Sequence, residues 1–368
     1  MRYDLIIAGA GPAGLSAAIR ARQLSLTCAV IEKESEEYYK PCGDGLTVRA
    51  IRALEPLGVS LDDLYQAGAQ EIRTSIHNHP HRTDCLPHRP GTMVTLSRPR
   101  LLSLLRDRAC AAGAVFLYCF HEPFAIGDEG VTAGSLHASA LIDAGGARYT
   151  LPGGNVSASR LPAGMSGLVH APAPLIGDRD LRFIHCLDDS HGYCWAFPLS
   201  GSLWNVGIWR TRNLAQLREE FDAFINGWLK EHLGTFEWTA PPRGALLGTR
   251  PGAVYRSPLA MTCGDAAGAC NIQSGEGISF AVAGACCAVD LLAFRLGMCS
   301  RETVCESAFL QEACPEPVES AVPFCEDASG APVFLLRTAS GSYAASCRDG
   351  RTGLKRLTAE ELKAVDSQ

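Results

Sequence analysis

The segment that most restricts how this chain can fold is Asp4-Leu-Ile-Ile-Ala-Gly9-Ala-Gly11-Pro12-Ala13-Gly14, an apolar run broken by three glycines at fixed spacing. In a strand-turn-helix unit each glycine has its own task. Gly9 permits the tight turn out of the strand, Gly11 lets the backbone approach a diphosphate, and Gly14 lets the helix settle against the sheet. Pro12, followed by Ala13, fits the first helical turn, where a missing N–H does no harm. The free amides and positive end of such a helix attract a diphosphate. Cys28-Ala-Val-Ile-Glu32 reads as the second strand, and Glu32, with Lys33 after it, stands where a carboxylate accepts from both ribose hydroxyls. A carboxylate there favours an unphosphorylated ribose, hence FAD or NAD over NADP. The competing reading is a glycine turn that holds no ligand.

A second glycine-rich region discriminates between the two dinucleotides. After the strand-like Pro258-Leu-Ala-Met-Thr-Cys263 comes Gly264-Asp265-Ala-Ala-Gly268, then Gly275-Glu276-Gly277-Ile278 opening an apolar helix. Asp265 is placed to accept from a ribityl hydroxyl or to position the diphosphate through water. Free amides at Gly275 and Gly277 can face the flavin N1 and C2 carbonyl, where negative charge collects on reduction. Together the two regions imply FAD held along its whole length. Taken alone, the second could be two glycine loops flanking a buried helix.

The order Gly9-x-Gly11-x-x-Gly14, Lys40-Pro-Cys42-Gly43-Asp44-Gly45-Leu, Arg98-x-x-Leu101, Gly192-Tyr193-Cys-Trp195-Ala-Phe197-Pro198, Gly264-Asp265-Ala-Ala-Gly268 and Gly275-Glu276-Gly277-Ile278 resembles the geranylgeranyl reductase family. That family lies within the flavoproteins that share a fold with para-hydroxybenzoate hydroxylase. The resemblance implies an α/β protein: a Rossmann-like FAD-binding domain of the GR2, para-hydroxybenzoate hydroxylase type, with an inserted mixed antiparallel β-sheet substrate domain. It also implies that Arg98 reaches the FAD diphosphate, that the loop holding Cys42 and Gly43 passes over the flavin, and that Tyr193 and Trp195 wall an apolar substrate against the ring.

Three departures bear on this. Related flavoproteins carry Ala-Asp-Gly after a strand, whereas Ile142-Asp143-Ala144-Gly145-Gly146 has glycine in the acid's place and Asp143 two residues early, pointing elsewhere. Asn271-Ile272 replaces the family's common Asn-Pro. After Gly297 the likeness ends, although in the family this part helps close a lipid tunnel. The predicted organisation is an FAD-binding domain of residues 1–68, 98–151 and 251–298, a substrate-binding domain of 69–97 and 152–250, and a divergent C-terminal segment, 299–368. Helices are predicted over 98–113, 214–233 and 358–365, the last capped by Thr358. Strands are predicted over 114–117 and 138–143, with a hairpin of 332–336 and 342–345 turning near Gly341.

Composition excludes some partners. A formal charge of -6 with no block of lysine or arginine offers no surface for tracking phosphates, so nucleic acid is not expected. The stretch 278–298 is apolar but carries Asp290 and Arg295, and reads as a core helix; membrane contact is expected to be peripheral at most. Sixteen cysteines without a C-x-x-C pair or an export signal suggest a cytoplasmic protein with buried thiols, and no zinc or iron–sulfur centre. Cys299, Cys305, Cys314, Cys325 and Cys347 crowd the C-terminal part, and the family resemblance leaves one disulfide open there. His77, His79 and His81 alternate, but Pro80 intervenes and no acid completes a ligand set, so they are read as solvated loop or edge-strand residues with no metal.

The chemistry implied is hydride transfer at flavin N5, reducing a carbon–carbon double bond in an apolar, isoprenoid-like or conjugated substrate. Cys42, Tyr193 and Trp195 are the catalytic candidates, with Cys42, Tyr193 or a water as proton donor and Asp44 as a second acid or a turn residue. Cys42 could equally be packing, Arg98 an ordinary helix-start arginine, and Tyr193-Cys-Trp195-Ala-Phe197 an aromatic core strand in which Phe197 only packs. With a single glycine fingerprint, the reductant must be transiently docked NAD(P)H or a ferredoxin-type donor protein. The alternatives are an aromatic monooxygenase, a halogenase, disfavoured because no lysine occurs from 41 to 229, or a carrier that binds FAD and a ligand without turnover.

Overall fold

The strand Arg2–Ala8 sits at the centre of a parallel array because both its faces are apolar: Leu5, Ile6 and Ile7 are fully buried. In this computed structural model residues 1–147, 162–185, 192–211, 214–249, 257–271, 274–300, 320–326, 332–338, 341–348 and 351–361 are described. Arg2–Ala8 pairs in parallel with Cys28–Ile31 on one side and Leu136–Asp143 on the other, with Ile7 opposite Val30 and Ile142. Val115–Leu117 and Ala260–Thr262 extend the array outward in the same sense.

Helices Pro12–Gln23, Arg98–Ala111 and Ile278–Arg295 contribute to one core with this sheet. The last is long and apolar enough to cross a membrane, yet most of its side chains are buried in that core, as the sequence suggested. Its one acid, Asp290, holds Arg20 through two bonds, Nε to Oδ1 at 2.6 Å and Nη2 to Oδ2 at 3.1 Å. The helices that follow the two glycine-rich regions are thereby pinned together.

The substrate-side layer is a second sheet in the order Glu237–Leu246, Ala163–His170, Leu203–Arg210, Gly192–Ser200, Asp180–Ile184, Thr74–His79, Arg82–Pro87. Alternation splits the strand Leu203–Arg210 in two: Trp204, Val206 and Ile208 bury against the helix Leu214–Phe224, leaving Asn205, Gly207 and Trp209 for the other face. The predicted helix over 214–233 is present, with a π-helical turn at Ile225–Leu229.

Two boundaries differ from those predicted. Of residues 69–97 only Thr74–Pro87 joins the substrate sheet; Met93–Thr95 pairs with Gly45–Thr47 on one side and Gln70–Glu71 on the other, because Leu46, Val94 and Leu96 bury in the nucleotide-domain core. The segment after 299 is not a separate appendage. Ser320–Glu326 adds to the nucleotide sheet in parallel at Thr262, and Pro332–Thr338, Gly341–Arg348 and Arg351–Arg356 continue it antiparallel, with Leu336, Tyr343 and Ala345 in the main core. The predicted hairpin is therefore present, with Leu336 opposite Tyr343. Thr358 caps the final helix reciprocally: its Oγ1 accepts from Glu361 N, and Glu361 Oε2 accepts from Thr358 N. Residues 362–365, Ile272, Cys305 and Cys314 lie outside the described residues, as do the side chains of Cys325 and Cys347; Cys299 is a free thiol.

Candidate cofactor and substrate site

A cavity of about 850 Å³ runs from the glycine turn to the seven-stranded sheet. At the nucleotide end Gly9 has φ +101°, a left-handed conformation that a side chain would strain, and a Cβ at Gly14 would lie 1.8 Å from the Gly9 carbonyl oxygen. A Cβ at Gly11 would meet no atom within 4 Å, so that face of the turn is open to a ligand. Gly9, Gly11, Pro12, Ala13, Glu32 and Lys33 line the cavity. Gly14 and Gly264 do not: both are close-packing positions, Gly264 setting its α-carbon against Ala13. Glu32 accepts from Ala10 N at 2.7 Å and Glu34 N at 3.1 Å, which fixes its carboxylate under the turn.

Arg98 lines the same cavity; its guanidinium meets the Cys42 side chain, and among the described residues its buried Nε has no acceptor. A buried guanidinium N–H without a partner is expensive unless an anion completes it, so this group fits a diphosphate. Arg100, by contrast, is exposed and reaches the Ala67 carbonyl. Asp143 does not point elsewhere as expected. It is buried at the cavity wall, accepts from Gly145 N at 2.8 Å, and burial pushes its carboxyl up to about 7.

At the other end Gly275, Glu276, Gly277 and Ile278 line the cavity at the start of the helix Ile278–Arg295, whose N-cap Gly277 supplies no side-chain cap. Unsatisfied first-turn amides therefore face the space a flavin would fill. The Glu276 carboxylate itself is turned into hydroxyls, accepting from Thr47 and Ser279 at 2.7 Å each. Asp265 lines the cavity, and its Oδ2 accepts from Lys40 Nζ at 2.5 Å and Gly248 N at 3.2 Å.

The loop from Pro41 to Gly45 lies between this end and the substrate sheet. Cys42 and Gly43 line the cavity, and the Cys42 thiol accepts from Asp44 N at 3.3 Å. A Cβ on Gly43 would come within 3.1 Å of the Phe197 ring, so the loop lies flat on the aromatic strand. Asp44 is at φ +64°, a turn conformation, but its side chain is fully engaged inward: Oδ1 accepts from Arg98 N at 2.9 Å and Oδ2 from Asn205 Nδ2 at 2.7 Å. Burial pushes this carboxyl up to about 6, while Arg98 and the Asn205 amide pull it down.

Tyr193, Trp195 and Phe197 all line the cavity, as period-two alternation requires. Phe197, expected only to pack, is part of the wall. The rings meet edge-on or tilted, with centroids 6.2 Å apart for Tyr193 and Trp195 and 6.1 Å for Trp195 and Phe197. Opposite Trp195 in the sheet stands Gly207, where a Cβ would be 2.2 Å from the indole. Tyr193 donates its hydroxyl to the Ser274 carbonyl at 2.7 Å, and burial raises its pKa, so it stays a neutral brace between the wall and the glycine loop. Sequence reasoning missed Asn205 and Trp209. The available signal was a polar residue at an inward position of an otherwise apolar strand.

His81 is exposed in a turn, as expected, but His77 and His79 are not on a solvated edge. Thr74–His79 lies inside the sheet, and Pro80 sits in the turn to Arg82–Pro87. His77 stacks on Phe183 at 4.4 Å and bonds His185 at 3.0 Å, while His79 stacks on His185. Burial lowers the pKa of His77, and that of His185 to about 4. Among the described residues no group of histidine, cysteine and acid forms a metal site.

Comparison with known proteins bears on the domain and the fold. Residues 2–140 match the FAD binding domain family. The chain is 28% identical over 315 residues to a menaquinone reductase of Mycolicibacterium smegmatis, covering 76% of this chain and 73% of that one. It is also 28% identical over 225 residues to digeranylgeranylglycerophospholipid reductase 1 of Methanopyrus kandleri, covering 56% of this chain and only 58% of that one. A geranylgeranyl bacteriochlorophyll reductase-like protein of Thermoplasma acidophilum superposes with a TM-score of 0.69 at 19% identity, over 84% of this chain and 83% of the other. A flavin-dependent brominase shares the fold at a TM-score of 0.64 and 17% identity, over 81% of this chain and 80% of the other.

Proposed function

We propose that this chain, whose residues 2–140 match an FAD binding domain and whose fold is that of para-hydroxybenzoate hydroxylase-like flavoproteins, is an FAD-dependent oxidoreductase that reduces carbon–carbon double bonds of an apolar, isoprenoid-like or conjugated substrate. The observation that carries this reading is the continuity of the cavity, from the diphosphate-sized turn at Gly11 to a wall of Tyr193, Trp195, Phe197 and Trp209. Relatives named as menaquinone and digeranylgeranylglycerophospholipid reductases support a substrate of isoprenoid character. FAD, when bound, supplies two-electron hydride chemistry.

The protein's own groups do the rest. Arg98 and the amides after Gly11 bind the diphosphate, and Glu32 the ribose. The helix start at Gly277 orients the ring and favours negative charge beside it. The aromatic wall excludes water and holds an alkene flat, which lowers the entropic part of the barrier. Tyr193 is committed to Ser274, so the proton that completes the saturated bond is held at Cys42 Sγ, in the loop lying on that wall. The reductant is NAD(P)H or a ferredoxin-type protein docking transiently, and the enzyme works in the cytoplasm with at most peripheral membrane contact.

The test is photoreduction of the FAD-loaded protein without oxygen, followed by prenylated alkenes and conjugated enones. Reoxidation with appearance of the saturated product supports reduction. Reoxidation only by oxygen in the presence of a phenol, with a hydroxylated product, would assign aromatic monooxygenation, which the same flat slot could accommodate. Reoxidation by no unsaturated compound would leave a carrier.

A further inference from the structure

We infer that Asn205 is a positioning residue that couples the aromatic wall to the cofactor's diphosphate end, so that the Trp195 indole N–H contributes to FAD affinity without touching the diphosphate. The inference rests on the reading of the cavity as an FAD site.

Asn205 is 3% exposed, on the strand Leu203–Arg210. Its Oδ1 accepts from Trp195 Nε1 at 2.8 Å. Its Nδ2 donates to the Cys42 carbonyl at 2.6 Å and to Asp44 Oδ2 at 2.7 Å. The arrangement fixes the amide's orientation: an indole N–H can only donate and a carbonyl oxygen can only accept, so a flipped amide would oppose donor to donor and acceptor to acceptor. Both of its N–H groups and its oxygen are thus committed, and they tie two segments together, the aromatic wall and the flavin loop with its buried acid.

Asp44 carries the connection onward. Its other oxygen accepts from the backbone N of Arg98 at 2.9 Å, at the first residue of the helix Arg98–Ala111. That bond sets where the helix starts, and so where the Arg98 guanidinium lies. The path from indole to guanidinium crosses from the substrate sheet to the nucleotide domain through side-chain bonds, each buried or partly buried, where a lost partner is felt strongly.

The experiment measures FAD affinity of the full chain by flavin fluorescence, with thermal melts of the apoprotein as a folding control. Trp195→Phe keeps an aromatic ring and removes the N–H; it is expected to weaken FAD binding by roughly threefold to tenfold, the worth of one buried hydrogen bond. In an Asn205→Ala background the same Trp195→Phe change is expected to have no further effect. Should Asn205→Ala not fold, Asn205→Asp serves, since it keeps the acceptor for Trp195 and repels both Cys42 O and Asp44. A loss of equal size in both backgrounds means that the ring acts on FAD directly and overturns the inference, as does no loss in the wild-type background. Either result leaves the proposed function standing, whereas a wild-type chain that binds no FAD removes both.

Discussion

The two ends of the cavity are built on opposite principles. At the glycine turn, function depends on side chains being absent: Gly11 faces open space, Gly14 sits where any Cβ would strike Gly9, and the ligand meets backbone. At the aromatic wall, function depends on large side chains being present and locked, by Gly207 beneath Trp195 and by Asn205 behind it. The first can be written in a dozen consecutive residues. The second needs two paired strands, Gly192–Ser200 and Leu203–Arg210, and a loop more than a hundred residues earlier. A cofactor end of this kind tolerates almost no change of residue, while a substrate end can change ring by ring.

The sharpest way to break that contrast is to add one methyl group at two neighbouring glycines. Gly14→Ala is expected to destabilise the apoprotein by about 4 kcal/mol or more, because its Cβ would lie 1.8 Å from backbone that cannot yield. Gly11→Ala should leave apoprotein stability within about 0.5 kcal/mol of wild type yet weaken FAD by about tenfold or more, or ~1.4 kcal/mol. Urea denaturation and FAD titration separate the two effects; equal destabilisation by both would erase the distinction.

A smaller effect comes from Asp143, at the nucleotide end. Its folded-state pKa is raised to about 7 from 3.8, so the folded protein retains a proton that the unfolded chain releases. Apoprotein stability should therefore fall as pH rises from about 4 to 7 and level off above that. Asp143→Asn should remove this slope, gaining on wild type by about 2–4 kcal/mol across the window. Parallel stability curves for the two proteins would contradict the assignment.

Arg98→Ala should weaken FAD by about tenfold to a hundredfold, the range for a hydrogen bond to a charged group. Its Nε has no acceptor among the described residues, but the guanidinium also meets the Cys42 side chain and the charges of Asp44 and Asp265, so apoprotein melting should fall by less than FAD affinity does. A variant that melts early but binds FAD normally would make Arg98 a packing residue. Least affected is Lys40→Met. The pair with Asp265 is partly exposed, with side-chain exposures of 38% and 19%, and should contribute about 1 kcal/mol or less to stability.

The same contrast explains what was legible in the sequence. The glycine spacing and Glu32 located the nucleotide strand, turn and helix, because close backbone approach admits few residue types. Period-two alternation placed Tyr193, Trp195 and Phe197 on one face, and the family resemblance gave the first two to the substrate wall but left Phe197 to packing, because nothing in the strand indicates what lies opposite it. Asn205 was invisible for the same reason: its partners, Cys42 and Asp44, are more than 160 residues away in sequence. His77 and His79 were misplaced because Pro80 was read as breaking a strand, when it falls in the turn between two paired ones. The C-terminal hairpin was recognised locally, but its joining of the nucleotide sheet depends on a single parallel register, Thr262 to Ser320, which alternation cannot reveal.

The claim beneath all of this is that cofactor turn and aromatic wall share one continuous space. Titrating the apoprotein with FAD while following flavin fluorescence tests it most directly. The account predicts one FAD bound per chain, its emission strongly quenched by the neighbouring rings, with that quenching reduced in Trp195→Leu. Binding with emission unquenched and indifferent to Trp195, or no binding at all, would contradict it.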